Sequence, residues 1–181
     1  MTRLPLALAA AFLATSAFAQ TNAPAPSTTE KTGVNSVLGV APSTQDFVTE
    51  AATSDMFEIE SSKLALERAD DATKAFAQQM VTDHEKTTSD LKGLVTGGKV
   101  KATLPTAMTD KQQSTLNDLK ALQGADFTKQ YHSIQVDAHE DAVDLFKRYG
   151  DAGEQADLKA WAAVTLPHLQ HHLDMANSLN K

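Results

Sequence analysis

Residues 58–84 read EIESSKLALERADDATKAFAQQMVTDH, and this stretch decides the fold. Upstream of its centre, Phe47, Val48, Ala51, Ile59, Ala65 and Leu66 fall on one side of a 3.6-residue period. Downstream, Phe76, Met80, Leu91 and Val95 do the same. Between them Asp70-Asp71 marks a tight break and caps the next helix. Two amphipathic helices with almost no chain between them must lie side by side and antiparallel.

Outward from this hairpin, Ser43 or Thr44 caps a first helix that runs to about Ala69. The second runs from about Ala72 to Thr96, where Gly97-Gly98 stops it. A long connection follows. Leu104-Pro105 reads as extended chain. Thr109 or Asp110 caps a short helix carrying Leu116, Leu119 and Leu122, which Gly124 ends. Asp126 caps a third long helix through Phe127, Tyr131, Ile134, Ala138, Leu145, Phe146 and Tyr149, closed by Gly150 and Gly153. A fourth runs from about Glu154 to Asn180, with Leu158, Ala162, Leu166, Leu169, Leu173 and Ala176 on one face. Pro167 lies inside it and should kink it by removing an amide donor. No segment alternates with period two. The expected fold is all-α: a ferritin-like four-helix bundle, two antiparallel helix pairs joined by a long crossover carrying a short extra helix.

The N-terminus reads as a secretory signal over 1–19. Arg3 supplies the positive charge, 4–14 is a short apolar run, and Ala17-Phe18-Ala19 is an A-x-A cleavage site. Cleavage after Ala19 would deliver the chain to the periplasm. Residues 20–42 hold Pro24, Pro26 and Pro42 among Ser, Thr, Ala and Asn, and read as a flexible linker to a helical domain over 43–181. A weak apolar patch at 34–40 is placed to dock on that domain. The apolar run is too short for a stable membrane anchor.

Removing the leader takes away Arg3 and no acid, leaving 15 basic against 23 acidic residues, a net charge of −8. An acidic chain is a poor partner for nucleic acid, whose phosphates call for Lys and Arg. With no Cys there are no disulfides, thiolate metal sites or cysteine nucleophiles. There is no glycine-rich phosphate loop and no G-x-S-x-G elbow.

The informative residues are polar ones in apolar stripes, because burying them without partners costs free energy. On the first helix Glu58 stands in line with Phe47, Ala51, Ser62 and Ala65, with Asp55 on the same side. On the second, His84 shares the apolar face with Met80, Thr87 and Leu91, with Asp83 at its edge. On the third, His139 flanks the stripe near Gln135. On the fourth, His168 and His172 stand four apart near one edge, with His171 turned away. Glu58, His84, His139, His168 and His172 come from all four long helices and are candidate metal ligands; Asp55 and Asp83 are placed to orient imidazoles from behind. The same groups also read as a buried polar network, with Asp55 or Glu58 hydrogen-bonded to His84 or His139. Met80 reads as core filler.

The chain from Phe47 to Asn180 resembles the bacterial domain-of-unknown-function family 4142. Asp46-Phe47-Val48 and 58–65 carry the likeness on the first helix, Phe76 to His84 on the second, then Tyr131 to His139 and the fourth-helix histidines. The resemblance implies export and a ferritin-like bundle, and names no reaction. Di-iron ferritin-like proteins use Glu-x-x-His on two helices. Here the residue three before His84 is Val81, before His168 Thr165 and before His172 Leu169. A divalent transition metal at this histidine-rich set would be Zn, Cu or Ni rather than an iron pair.

Two functions compete. One is a non-enzymatic periplasmic binding or envelope-stress module. The other is a metal-binding protein, with weak oxidoreductase chemistry as its extreme. A third reading makes the short crossover helix, 109–123, a docking element for another envelope protein.

Overall fold

A computed structural model describes Ser27 and residues 33–181; the expected leader and most of the expected linker lie outside the described residues. Among the described residues there are six helices and no strand. They are α1 (Val34–Leu38), α2 (Thr44–Arg68), α3 (Asp71–Thr96), α4 (Asp110–Ala121), α5 (Gly124–Ala152) and α6 (Ala156–Leu179). None is long and apolar enough to cross a membrane.

Local chemistry sets the ends. Ser43 Oγ accepts the Asp46 amide, Asp70 Oδ1 accepts that of Thr73, and Thr109 and Gln112 close a capping box on α4. Gly98 ends α3 at φ +76°, a conformation costly for other residues. Two boundaries differ from expectation. α5 begins at Gly124 rather than after Asp126, because α4 already stops at Leu122; Asp126 instead sits in the first turn, where its charge suits the helix dipole. α6 is capped by Gln155, whose Oε1 accepts the Leu158 amide at 2.7 Å. Glu154 is free to accept from the amide and hydroxyl of Thr44 at the start of α2. Gly150 lies within α5, and Gly153 closes it.

Helix directions follow from which residues meet. Asp55 bonds His84 across the Asp70 link, and Phe146 meets Trp161 across the 153–155 link, so α2/α3 and α5/α6 are antiparallel hairpins. Phe47 meets Phe146, Glu58 bonds Gln135 and Ser62 bonds Tyr131, so α2 and α5 also run antiparallel. Asp83 bonds His172 across the remaining seam, between α3 and α6. The crossover from α3 to α5 includes α4, whose Leu116 and Leu119 are buried inside the chain.

The buried positions advance by alternating threes and fours. On α6 they are Leu158, Ala162, Thr165, Leu169, His172 and Ala176; α2 is buried over a wider face, within which Thr44, Val48, Ala51, Asp55, Glu58, Ser62 and Ala65 form such a line, with Phe47, Thr49, Ala52, Thr53, Phe57 and Ser61 buried beside it. That is the seam of helices packed at shallow angles. Two apolar clusters result. One is built on Phe47, Leu91, Phe146, Tyr149 and Leu158, the other on Phe76, Met80, Leu119, Phe127 and Tyr131. Phe47 is fully buried, 4.1 Å from the Tyr149 ring and 5.0 Å from Phe146. Phe47→Ala is expected to cost about 3–5 kcal/mol, read from the denaturant midpoint.

α1 occupies the expected apolar patch but docks through polar groups. Ser36 Oγ donates to Asp144, and Arg148 Nη1 donates to the Val40 carbonyl. Val37 and Leu38 face outward.

Candidate metal centre

Between the two apolar clusters lies a polar layer to which all four long helices contribute. Asp55 and Glu58 come from α2, His84 from α3, Gln135 and His139 from α5, and His172 from α6; all are buried. His139 and His172 sit on the seam itself rather than at its edge. His168 does not join them: on α6 the seam passes through Thr165, Leu169 and His172, which turns His168 to solvent along with His171.

The three buried imidazoles form a nearly regular triangle, with ring centroids 5.7, 5.6 and 5.4 Å apart. One nitrogen from each lies within 4.8 Å of the other two. Zinc holds imidazole nitrogens at about 2.0–2.1 Å, so each ligand of such a triangle would close on an ion by about an ångström or less.

The outward nitrogens determine the tautomers. His84 Nδ1 donates to Asp55 Oδ1 at 2.8 Å. Asp55 is itself held by Thr87 and Thr88, whose hydroxyls donate to Oδ2 at 2.9 and 3.1 Å. His139 Nδ1 donates to the Gln135 carbonyl at 2.8 Å. His172 Nε2 donates to Asp83 Oδ2 at 2.8 Å. A carboxylate or carbonyl can only accept, so in the neutral rings every N–H points out of the triangle and every lone pair points in. The inward atoms, His84 Nε2, His139 Nε2 and His172 Nδ1, are buried without a hydrogen-bond partner.

Glu58 adds negative charge beside the triangle. Its Oε2 accepts from Gln135 Nε2 at 2.7 Å, while its Oε1, like Gln135 Oε1, has no partner. The ion pairs of Asp55 and Asp83 are with histidine, not with Lys or Arg. Of the two functions expected of Glu58, it does not hydrogen-bond histidine, and its oxygens stand outside the three-histidine group.

The imidazoles titrate differently. Burial pulls the His84 pKa down, but the hydrogen bond and charge of Asp55, with Glu58 and Asp83 beyond, carry it above its ordinary value. Burial lowers that of His139, against the pull of Glu58. Burial, with the neighbouring His139 and His84, lowers His172 to about 4. Burial would raise the Asp83 carboxyl, but hydrogen bonds from Gln79 and His172 hold it below its ordinary value.

Three lone pairs gathered in a buried space, each backed by an acceptor on the far nitrogen, form the arrangement of metal-ligating histidines. Gln135, Thr87 and Thr88 were not expected among the groups that position this layer. Gln135 stands four residues before His139 on the same stripe, a spacing that places it one turn away.

The model of a domain of unknown function, DUF4142, matches residues 29–179. No curated protein and no solved structure matches the chain. The match spans all six helices, the polar layer included, and the chain belongs to the DUF4142 family.

Proposed function

We propose that this protein is an exported metal-binding protein, built as a ferritin-like four-helix bundle, that holds one divalent transition ion at His84, His139 and His172 with Glu58 beside them. The carrying observation is the set of three inward lone pairs, buried and without donors. In the neutral rings all three N–H groups point outward; His84, whose raised pKa favours the charged ring, gives up its inward Nε2 proton when an ion binds. The donor set suits Zn, Cu or Ni, and the absence of Glu-x-x-His on these helices argues against an iron pair. Each imidazole is at most 3% exposed, which favours holding an ion over turning over a substrate. The bundle reading is supported by the two hairpins and the crossover between them. The export reading is supported by the leader-like residues before Gln20, with delivery to the periplasm.

Elemental analysis of untagged protein recovered from the periplasm tests this reading. About one ion per chain is expected, lost in His84→Ala and His172→Ala and retained in His168→Ala. Sub-stoichiometric metal, with thermal stability indifferent to a chelator, would refute it.

A further inference from the structure

Among the described residues the three-histidine centre is sealed on most sides, and its most exposed side suggests how an ion reaches it. Along the bundle axis the layer lies between the two apolar clusters. On the side nearest Glu58, Tyr131 and Ser62 close the floor with a hydroxyl pair 2.8 Å apart. Sideways, each histidine is backed by one acceptor. Behind His84, Asp55 is buried under Thr87 and Thr88. Behind His139 stands a helix carbonyl, which cannot move without breaking α5. Behind His172 stands Asp83, whose side chain is 29% exposed. Its other oxygen-bound neighbour is Gln79, which is exposed and donates to Oδ2 at 2.6 Å. Gln79 in turn borders a groove of about 480 Å³ between α3 and α6, whose lining includes Phe76, His171, Asp174 and Met175.

We propose that divalent cations load and leave through this α3/α6 seam, with Asp83 as the carboxylate that first captures the ion and passes it to His172. The proposal rests on the metal-binding reading above. The Asp83 carboxylate meets a hydrated cation at the surface and exchanges the His172 N–H for the ion. The imidazole, released from its outward bond, can turn its lone pair to the ion and draw it inward. Asp83 thereby does two things: it orients His172 at rest and supplies the negative charge that concentrates cations at the mouth.

Stopped-flow loading of the zinc-free full chain with zinc, followed with a weak chromogenic indicator, separates these steps. Asp83→Asn keeps a carbonyl acceptor for His172 and removes the charge. It is expected to slow association about tenfold or more and to weaken its salt dependence. Gln79→Lys, which sets a cation beside Asp83, should slow it similarly, while Gln78→Lys on the same helix but outside the groove should not. Normal loading by Asp83→Asn and Gln79→Lys would overturn the route, as would equal slowing by Gln78→Lys. If the wild type binds no zinc at all, the metal-binding reading itself fails. If it binds one zinc and these variants load normally, only the route fails. Circular dichroism of each variant confirms that it is folded.

Discussion

Zinc affinity is expected to fall on acidification below neutrality with a slope clearly smaller than three ordinary imidazoles would give. Protons and metal compete for the same three lone pairs, so the steepness reports how many protons must leave. Three ordinary imidazoles, with pKa values near 6.5, would approach a slope of about three below that pH. This centre is uneven. His84 titrates above its ordinary value because Asp55 holds its charged form, whereas burial keeps His139 low and His172 at about 4. Between roughly pH 6.5 and pH 4.5 the His84 proton competes while His172, at about 4, stays mostly unprotonated, so the slope should stay below three. Competition against a chelator of known affinity at each pH measures the slope; a value near three already at pH 6 would contradict the structure. Asp55→Asn removes the main cause of the His84 shift and should move the whole curve to lower pH. Without metal the signs divide. The raised His84 pKa contributes stability that is full below its unfolded-state value and lost as pH rises through its folded-state value. The lowered pKa values of His139 and His172 work the other way: the unfolded chain binds those protons more tightly, so stability is lost as pH falls below about 6.5, for His172 down to about 4.

The sequence made some of this layer legible and concealed the rest for a definite reason. Asp55, Glu58 and His84 were visible because each interrupts a run of residues at threes and fours that is otherwise apolar or small. His172 was displaced to the edge of its stripe because bulky Leu166 and Leu173 drew the inferred centre of the α6 face toward themselves. In the structure those leucines are half-buried and straddle the seam, while the small Ala162, Thr165 and Ala176 share it with Leu158, Leu169 and His172. Close approach of helix backbones favours small side chains at the contact line, so hydrophobicity alone misplaces that line. Once the centre shifts, His172 moves in and His168 moves out. Register between helices is a long-range property, so the meeting of three rings from α3, α5 and α6 could be anticipated as compatible but not located. The hairpins were easier, because the Asp70 break and the glycines near 153 are local signals. At Gly153 an added Cβ would lie 2.5 Å from the Tyr149 carbonyl oxygen and 2.6 Å from its ring, so this turn admits little else.

Glu58→Gln is expected to make the metal-free protein more stable and the zinc-loaded protein less so. Glu58 is 1% exposed; its one hydrogen bond comes from a neutral carboxamide, and its Oε1 has none. A buried carboxylate with so few hydrogen bonds carries a desolvation penalty of roughly several kcal/mol, which a neutral side chain of the same volume avoids. Glutamine also keeps the bond from Gln135 and adds two N–H donors next to a layer whose unpartnered atoms, Gln135 Oε1 and the three imidazole nitrogens, are all acceptors. The melting temperature without metal should therefore rise by roughly 3–10 °C. Zinc reverses the comparison. In the wild type, zinc at a hundredfold above its dissociation constant adds about 2.7 kcal/mol, because it binds the folded state alone. In Glu58→Gln the carboxylate that would offset the ion's charge is gone and the new donors compete for the imidazole lone pairs, so most of that gain should vanish. Paired melts of both proteins in chelator and in zinc give the four numbers needed. A variant less stable than wild type in chelator would mean that Glu58 is compensated within the protein, and that the layer is a structural network rather than a site waiting for a cation.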